Sequence, residues 1–355
     1  MKLKYVLALL VCCQVARAQQ DSSSLLFSGY AEAYYSYAGT VGDSRVKPDF
    51  YYNHKRQNQV GLNLLYLKAS FSKGGFRSNL AAMVGDYSKY NLSAEPQWAK
   101  PIYEANVGVR VSKKNNIWID AGVLPSHIGF ESAVGADCWT LTRSMLAENS
   151  PYYETGIKAS YLSKNEKFTA AFLVLNGWQK IATPAFIHQP SYGIQLNYKA
   201  TPALILNYSN FLGRDKPDSF HAVRFFHNIY AIYTPGKHWG ITAGLDIGSD
   251  KYTVKNRGTW WSPVVMVRYA ASPKFRMAMR WEYYRDRHQI MIPAKTADGF
   301  KISGLSMNAD YQISSHWVLR FELKHLKSND PVFSTNNAWG DKQNLSFNTC
   351  LSFKF

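Results

Sequence analysis

The last thirteen residues of the chain, 343–355, alternate between apolar and polar side chains almost without interruption. One parity carries Leu345, Phe347, Thr349, Leu351, Phe353 and Phe355, and the other carries Asn344, Ser346, Asn348, Ser352 and Lys354. Successive side chains of a strand point to opposite faces, so this segment has one apolar and one polar face. A strand that spans a membrane, with lipid on one side and water on the other, has this pattern. The terminal Phe355 also resembles the insertion signal that the barrel assembly machinery reads.

The amino-terminal residues predict a secretory signal peptide. Lys2 and Lys4 precede a short apolar segment, 6–11, and Ala16-Arg17-Ala18 has the small-x-small pattern of a cleavage site. The apolar segment is too short to span a bilayer as a helix. We therefore expect cleavage near Ala18, with 1–18 as signal peptide.

Composition supports an outer-membrane barrel rather than a helical membrane protein. Residues 19–355 are expected to form one barrel domain, and removal of the signal lowers the formal net charge from +17 to about +14. Aromatic residues make up 15% of the chain and charged residues only 18%, against a usual value of about 25%. Aromatic girdles and a polar lumen produce this mixture. Only the high isoelectric point suggests nucleic acid, and the expected location argues against such a partner.

The cysteines leave two alternatives open. Cys12 and Cys13 admit a lipoprotein signal, although Val11 is larger than the small residue expected before the modified cysteine. Cys138 and Cys350 lie far apart and have no metal-ligand spacing. A disulfide between them is allowed in an oxidising compartment, but two free cysteines are favoured.

The remaining chain divides into about sixteen strand-like segments separated by alternating short and long connections. The short connections are 72–75, 112–116, 163–166, 200–202, 234–237, 272–274 and 314–316, and the long ones are 38–56, 88–100, 125–151, 179–189, 213–221, 250–258, 286–298 and 328–342. Short periplasmic turns and long external loops are typical of an antiparallel up-and-down outer-membrane barrel. This all-β barrel is the predicted fold.

Two alternatives affect this fold prediction. Segments 57–71, 167–178, 203–212 and 222–233 are apolar on both faces, so an error there would leave fourteen strands. A soluble β-sandwich or β-helix would also alternate. Such a fold would not require the signal peptide, the terminal aromatic residue and the loop asymmetry together.

A sixteen-stranded barrel leaves an aqueous channel, so charges on the inward parity are candidates to line a pore. The candidates are Arg77, Glu104, Arg110, Asp120, Glu154, Lys158, Arg268, Arg276, Arg280, Glu282, Arg320, Glu322 and Lys324. The five basic residues between 268 and 324 come from neighbouring strands and predict a basic ladder that favours anions. The alternative for each charge is a structural ion pair across the barrel wall.

The longest connection, 125–151, is the third external loop and the predicted constriction. Its candidates for contact with permeating solutes are His127, Glu131, Asp137, Arg143 and Glu148. Residues 140–147 are expected to form two helical turns. The alternative is a surface loop that packs on its own Phe130 and Trp139.

We predict a channel for passive diffusion of small hydrophilic solutes and expect no catalytic, cofactor or metal residues. A non-conducting structural or adhesive barrel is the second interpretation, because Trp118, Phe226, Tyr230 and Trp260 on the inward parity would partly fill the lumen. An outer-membrane lipase or protease is the third. No G-x-S-x-G or H-E-x-x-H motif supports an enzyme.

Four segments carry a resemblance to a known family: 27–35, 119–132, 147–157 and 176–179. Together they resemble the OmpL-like β-barrel porin family of Bacteroidota over essentially the whole mature chain. The resemblance implies an outer-membrane barrel with a porin-like role and gives no substrate. The expected partners are outer-membrane lipids and lipopolysaccharide, the barrel assembly machinery, small solutes and, by analogy of architecture, other copies of the chain.

Overall fold

The computed structural model describes residues 24–38, 45–333 and 341–355, and these form a closed barrel of sixteen antiparallel strands. The strands are β1 Ser24–Ala38, β2 Val60–Lys73, β3 Phe76–Val84, β4 Ile102–Arg110, β5 Asn116–Pro125, β6 Tyr153–Leu162, β7 Phe168–Leu175, β8 Ser191–Thr201, β9 Leu204–Gly213, β10 Arg224–Tyr233, β11 Trp239–Lys251, β12 Arg257–Ala270, β13 Phe275–Asp286, β14 Phe300–Gln312, β15 Trp317–Ser328 and β16 Gln343–Lys354. The sixteen-strand prediction is confirmed, and the expected signal peptide lies outside the described residues.

The alternation in sequence becomes the two faces of the wall. In β16, Leu345, Phe347 and Leu351 point outward and are exposed, whereas Ser346 and Asn348 point inward and are buried. The four segments with two apolar faces form β2, β7, β9 and β10. Their inward apolar side chains meet loops inside the barrel rather than water, which explains why alternation is weak there.

The barrel closes where β1 pairs with β16. Phe355 extends this pairing by one residue, because its backbone N–H donates to Gly29 and its carbonyl accepts from Gly29, each at 3.1 Å. A Cβ on Gly29 would lie only 2.4 Å from the Phe355 ring. Because Gly29 has no side chain, the Phe355 ring has room to pack over it where β1 meets β16.

Short turns join the strands at one end of the barrel, and long loops join them at the other. Helix α1, Asp86–Asn91, lies in the second long loop, and helix α2, Met145–Glu148, lies in the third. The prediction of two helical turns over 140–147 is wrong: the helix begins only after Ser144, whose hydroxyl accepts a hydrogen bond from the N–H of Ala147. Among the described residues, no helix is long and apolar enough to cross a membrane.

Candidate functional site: the barrel lumen

The third loop, defined here as residues 126–152, folds into the barrel. Its first part is fixed to β8, β9 and β10. The carbonyl of His127 accepts from Gln195 Nε2 and Ser209 Oγ, both at 2.8 Å. The N–H of Gly129 donates to Asn228 Oδ1 at 3.2 Å. These wall side chains point inward, so the loop runs along the inner surface.

The aromatic side chains of the third loop pack on glycines of the wall. A Cβ on Gly244 would lie 2.3 Å from the Phe130 ring, and one on Gly240 would lie 2.7 Å from the Trp139 ring. Both glycines belong to β11. Both rings therefore pack against the barrel wall. The alternative, a surface loop that packs on its own Phe130 and Trp139, does not describe this arrangement.

Arg280 of β13 is the centre of the contact between the third loop and the wall. Its guanidinium lies 3.4 Å from Glu282 and 3.3 Å from Glu322, and 3.8 Å from Glu131 of the loop. It also donates to the carbonyl of Thr142 at 2.5 Å. Arg280, Glu282 and Glu322 are fully buried. This charge is thus neutralised by protein groups rather than by solvent or solute.

Arg320 and Lys324 of β15 bind the same loop. Arg320 donates to the carbonyls of Gly135 and Cys138 at 2.6 and 2.9 Å and forms a bidentate pair with Asp310. Lys324 lies 3.1 Å from Glu282 and donates to a loop carbonyl. Three of the five cations of the predicted ladder therefore hold the third loop.

Within the third loop, charged side chains replace regular secondary structure. Arg143 donates to the carbonyls of Ser132, Ala133 and Leu141 at 2.6 to 3.0 Å and is fully buried. The Glu131 carboxylate accepts from both the N–H and the hydroxyl of Ser144. Burial raises the pKa of Glu131, an effect opposed by the charge of Arg280. The loop is thus a folded element with its own polar core.

Glu148 connects the third loop to the first. Its carboxylate oxygen Oε2 accepts from the backbone N–H of Tyr52 at 2.7 Å and from that of Asn53 at 3.2 Å. Burial raises the pKa of Glu148, while these hydrogen bonds lower it. Nearby, burial and the charge of Lys324 lower the pKa of Lys47 to about 7. The first loop, 45–59, is therefore also held inside the barrel.

His127 joins the start of the third loop to two strands. Its Nδ1 lies 2.7 Å from Glu154 of β6, and its Nε2 lies 2.7 Å from the carbonyl of Asn210 in β9. Burial lowers the pKa of His127, but the Glu154 carboxylate and these hydrogen bonds raise it overall. Both ring nitrogens face acceptors, which favours the protonated ring.

The five constriction candidates therefore occupy different environments. His127, Glu131, Arg143 and Glu148 are buried, and they bind the third loop, the wall or, for Glu148, the first loop. Asp137 is half-exposed and accepts from Lys354 of β16 at 2.6 and 2.9 Å. Asp137 and Glu131 border cavities in the lumen.

The remaining pore candidates have inward-facing positions on other strands of the barrel, several of them near the short-turn end. Arg77 forms a bidentate pair with Asp120 at 2.6 Å and stacks on Trp118. Glu104 accepts from Lys68 at 2.5 Å. Each pair links two strands that have one strand between them, β3 and β5 for Arg77–Asp120 and β2 and β4 for Lys68–Glu104. Other candidates are less enclosed: Lys158, Arg268 and Arg276 are half-buried and Arg110 is exposed.

Two cavities flank the third loop. One, of about 310 Å³, lies between the loop and the wall and is lined by Tyr103, Phe130, Tyr152, Tyr230 and Ile232 among others. The other, of about 230 Å³, lies at the short-turn end beneath residues 136–139. We call this second cavity the basic vestibule, because Arg268, Arg276, Arg320 and Lys354 line it.

A large apolar cluster inside the long-loop end was not predicted. This mouth cluster includes Phe50, Trp178, Phe211, Phe226, Trp260, Tyr284, Ile292, Phe300, Leu326 and Phe333. Phe226 and Trp260 were recognised from their inward parity, but the loop residues were not. The signal in the sequence was a set of apolar residues in predicted external loops, such as 290–292.

Neither metal-binding nor cysteine chemistry is visible in the described part of the chain. No group of three or more His, Cys, Asp or Glu side chains in it is placed to hold a metal ion. Cys138 and Cys350 are both free and buried.

The fold, with a long loop fixed inside a sixteen-stranded barrel, defines a porin-type outer-membrane protein. Residues 24–355 match the family described as "Putative beta-barrel porin-2, OmpL-like", and the chain belongs to this family. No curated protein sequence matches the chain.

Solved structures share the architecture at low sequence identity. The anion-selective porin from Comamonas acidovorans is 12% identical, with a TM-score of 0.63 over 94% of this chain and 100% of that one. OmpF of Salmonella typhi is 10% identical, with a TM-score of 0.64, and the match covers 95% of this chain and 99% of OmpF. The trimer form of OmpT from Vibrio cholerae is 9% identical, with a TM-score of 0.59, and the match covers 94% of this chain and 100% of OmpT. These likenesses show the fold.

Proposed function

We propose that this protein is a channel for passive diffusion of small hydrophilic solutes, that it has no enzymatic activity, and that the third loop sets its size limit. The observation that carries the proposal is the position of residues 126–152 within the barrel, where hydrogen bonds and ion pairs fix them to the inner wall from β8 to β16. A loop held in this way narrows the lumen without depending on solute. The anion-selective neighbour supports a weak preference for anions.

Planar-bilayer recording of the refolded protein tests this function. We expect discrete conductance steps and, under a salt gradient, a reversal potential of the sign for slight anion preference. Folding is checked separately by heat-modifiable migration in gel electrophoresis. A folded protein that gives no steps would contradict the channel, and a cation preference would contradict the selectivity alone.

The mouth cluster favours a second candidate, a non-conducting structural or adhesive barrel. Phe50 of the first loop packs on Phe300 and Phe333 with ring centroids 4.9 and 6.1 Å apart. On the other side, Trp178 packs on Phe226 at 4.9 Å. These contacts fill part of the long-loop end. A folded protein without conductance would favour this second function.

We further propose that the protein is one barrel domain, 19–355, placed in the outer membrane after cleavage near Ala18. Its partners there are outer-membrane lipids, lipopolysaccharide and the barrel assembly machinery. The trimer form of the OmpT structure supports a homo-oligomer as a further proposal. Mass measurement of the protein extracted in mild detergent would show a single monomer if the last proposal is wrong.

Phe355 is proposed as the recognition signal for assembly. Its ring is half-exposed beside the seam, and its backbone completes the pairing with Gly29. We expect Phe355→Ala to lower the amount of folded barrel in outer-membrane fractions severalfold, because the variant keeps the backbone bonds but loses the ring. Phe347→Ala, on the same face but within the strand, is the matched control. Equal losses from both substitutions would mean that Phe355 contributes only apolar surface.

A further inference from the structure

The five predicted ladder cations divide into two groups with different partners. Arg280, Arg320 and Lys324 are buried and bound to carboxylates and loop carbonyls. Arg268 and Arg276 are half-buried, and within the described residues neither has a carboxylate within 4.0 Å. Any electrostatic effect on a solute in this part of the lumen therefore depends mainly on Arg268 and Arg276.

Both of these arginines line the basic vestibule, and its acids are already engaged. Asp310 accepts from Arg320 with both carboxylate oxygens, at 2.8 and 3.0 Å. Asp137 accepts from Lys354 with both of its oxygens. The cavity thus holds four cationic and two acidic groups, which leaves two positive charges without a partner.

The local contacts orient the two guanidiniums without neutralising them. Arg268 lies over the Trp139 ring at 4.6 Å, and its Nε is a buried donor without an acceptor. Within the described part of the chain, the Arg276 guanidinium has one side-chain hydrogen-bond partner, the Gln312 oxygen at 3.5 Å. Stacking on an aromatic ring holds a guanidinium in place while its remaining donors stay available. The free Nε donor of Arg268 and the two unpaired positive charges of Arg268 and Arg276 face the same cavity, and this arrangement favours binding of an anion there.

We propose that the basic vestibule is a binding site for a small oxyanion that carries at least two oxygen acceptors, of the phosphate or carboxylate type. The planar fork of an arginine matches two oxygens of such a group. The volume of about 230 Å³ suits a small polyatomic anion rather than a sugar chain or peptide. This site deepens the proposed channel function and rests on it: anions would concentrate at the short-turn end beside the third loop.

Calorimetric titration of the folded, detergent-solubilised protein tests the site without measuring conductance. Inorganic phosphate and succinate are the two probes. We expect saturable binding of at least one, and binding about tenfold weaker or worse in Arg268→Gln/Arg276→Gln, because both charge-assisted bonds are lost. Binding of phosphate alone would assign a phosphoryl ligand, and binding of succinate alone would assign a carboxylate.

The matched control is Lys164→Gln/Lys167→Gln, which removes two charges from exposed residues of the turn between β6 and β7 at the same end of the barrel. It should leave the affinity unchanged. If the double arginine variant fails to fold, Arg276→Gln alone serves, because Gln312 is the one side chain among the described residues that hydrogen-bonds to Arg276. Absence of saturable binding, or equal affinity in the arginine variants, would overturn the site. Binding without conductance steps would reject the channel and keep the site.

Discussion

Replacing Arg280 with methionine is expected to weaken the attachment of the third loop to β13. The substitution removes the cation shared by Glu131, Glu282 and Glu322. Among the described residues, Glu282 keeps its ion pair with Lys324, whereas Glu131 and Glu322 lose their ion-pair partner. Leaving buried charges without their partner costs about 3–5 kcal/mol. We expect a lower temperature for loss of heat-modifiable migration, together with higher and more fluctuating single-channel current.

The matched control is Arg257→Met. Arg257 is exposed at the long-loop end of β12, where it donates to the carbonyls of Ser249 and Val223. The same change of side chain there should alter stability little, because exposed polar contacts contribute little. A second variant, Arg280→Lys, keeps the charge but loses the fork and should give an intermediate effect. If Arg280→Met behaves like the control, the buried ion network does not hold the loop.

The strands of this barrel are predictable from sequence because the membrane imposes a simple rule on them. Lipid requires apolar residues on one parity, and turns require Gly, Pro, Asn and Ser, so β13, β15 and β16 can be recognised almost residue by residue. The inward parity is also predictable for charged residues such as Arg77 and Arg280. What parity does not give is whether an inward side chain faces water or protein.

The conformation of the loops decides that question, and local sequence does not encode it. Arg143 looked like a pore charge because it is a cation in a long loop, yet it binds three carbonyls of that loop and is fully buried. Phe50 and Ile292 looked like residues of external loops, yet they pack in the mouth cluster. Phe50 contacts Phe300 and Phe333, which are distant from it in sequence, so no periodic pattern reveals these contacts.

Replacing residues 127–151 with a short turn is the change with the largest expected effect on conductance. The ends are already together: Pro125 pairs with Tyr153, and the N–H of Ser126 donates to the carbonyl of Tyr152 at 3.1 Å. A Gly-Asn-Gly link therefore closes a β-hairpin without moving β5 or β6. If the third loop sets the size limit, single-channel conductance should rise severalfold and larger neutral sugars should enter in liposome swelling.

The result also shows whether the third loop or the mouth cluster restricts the lumen. The first loop would lose the bonds from Tyr52 and Asn53 to Glu148, but Phe50 would still pack on Phe300 and Phe333. A folded deletion variant that remains closed would therefore place the block at the mouth cluster. Phe50→Ala added to the deletion would then be expected to open it, whereas Phe172→Ala, an exposed ring on the outer face of β7, would not. A barrel that opens on the loop replacement alone assigns the constriction to residues 127–151.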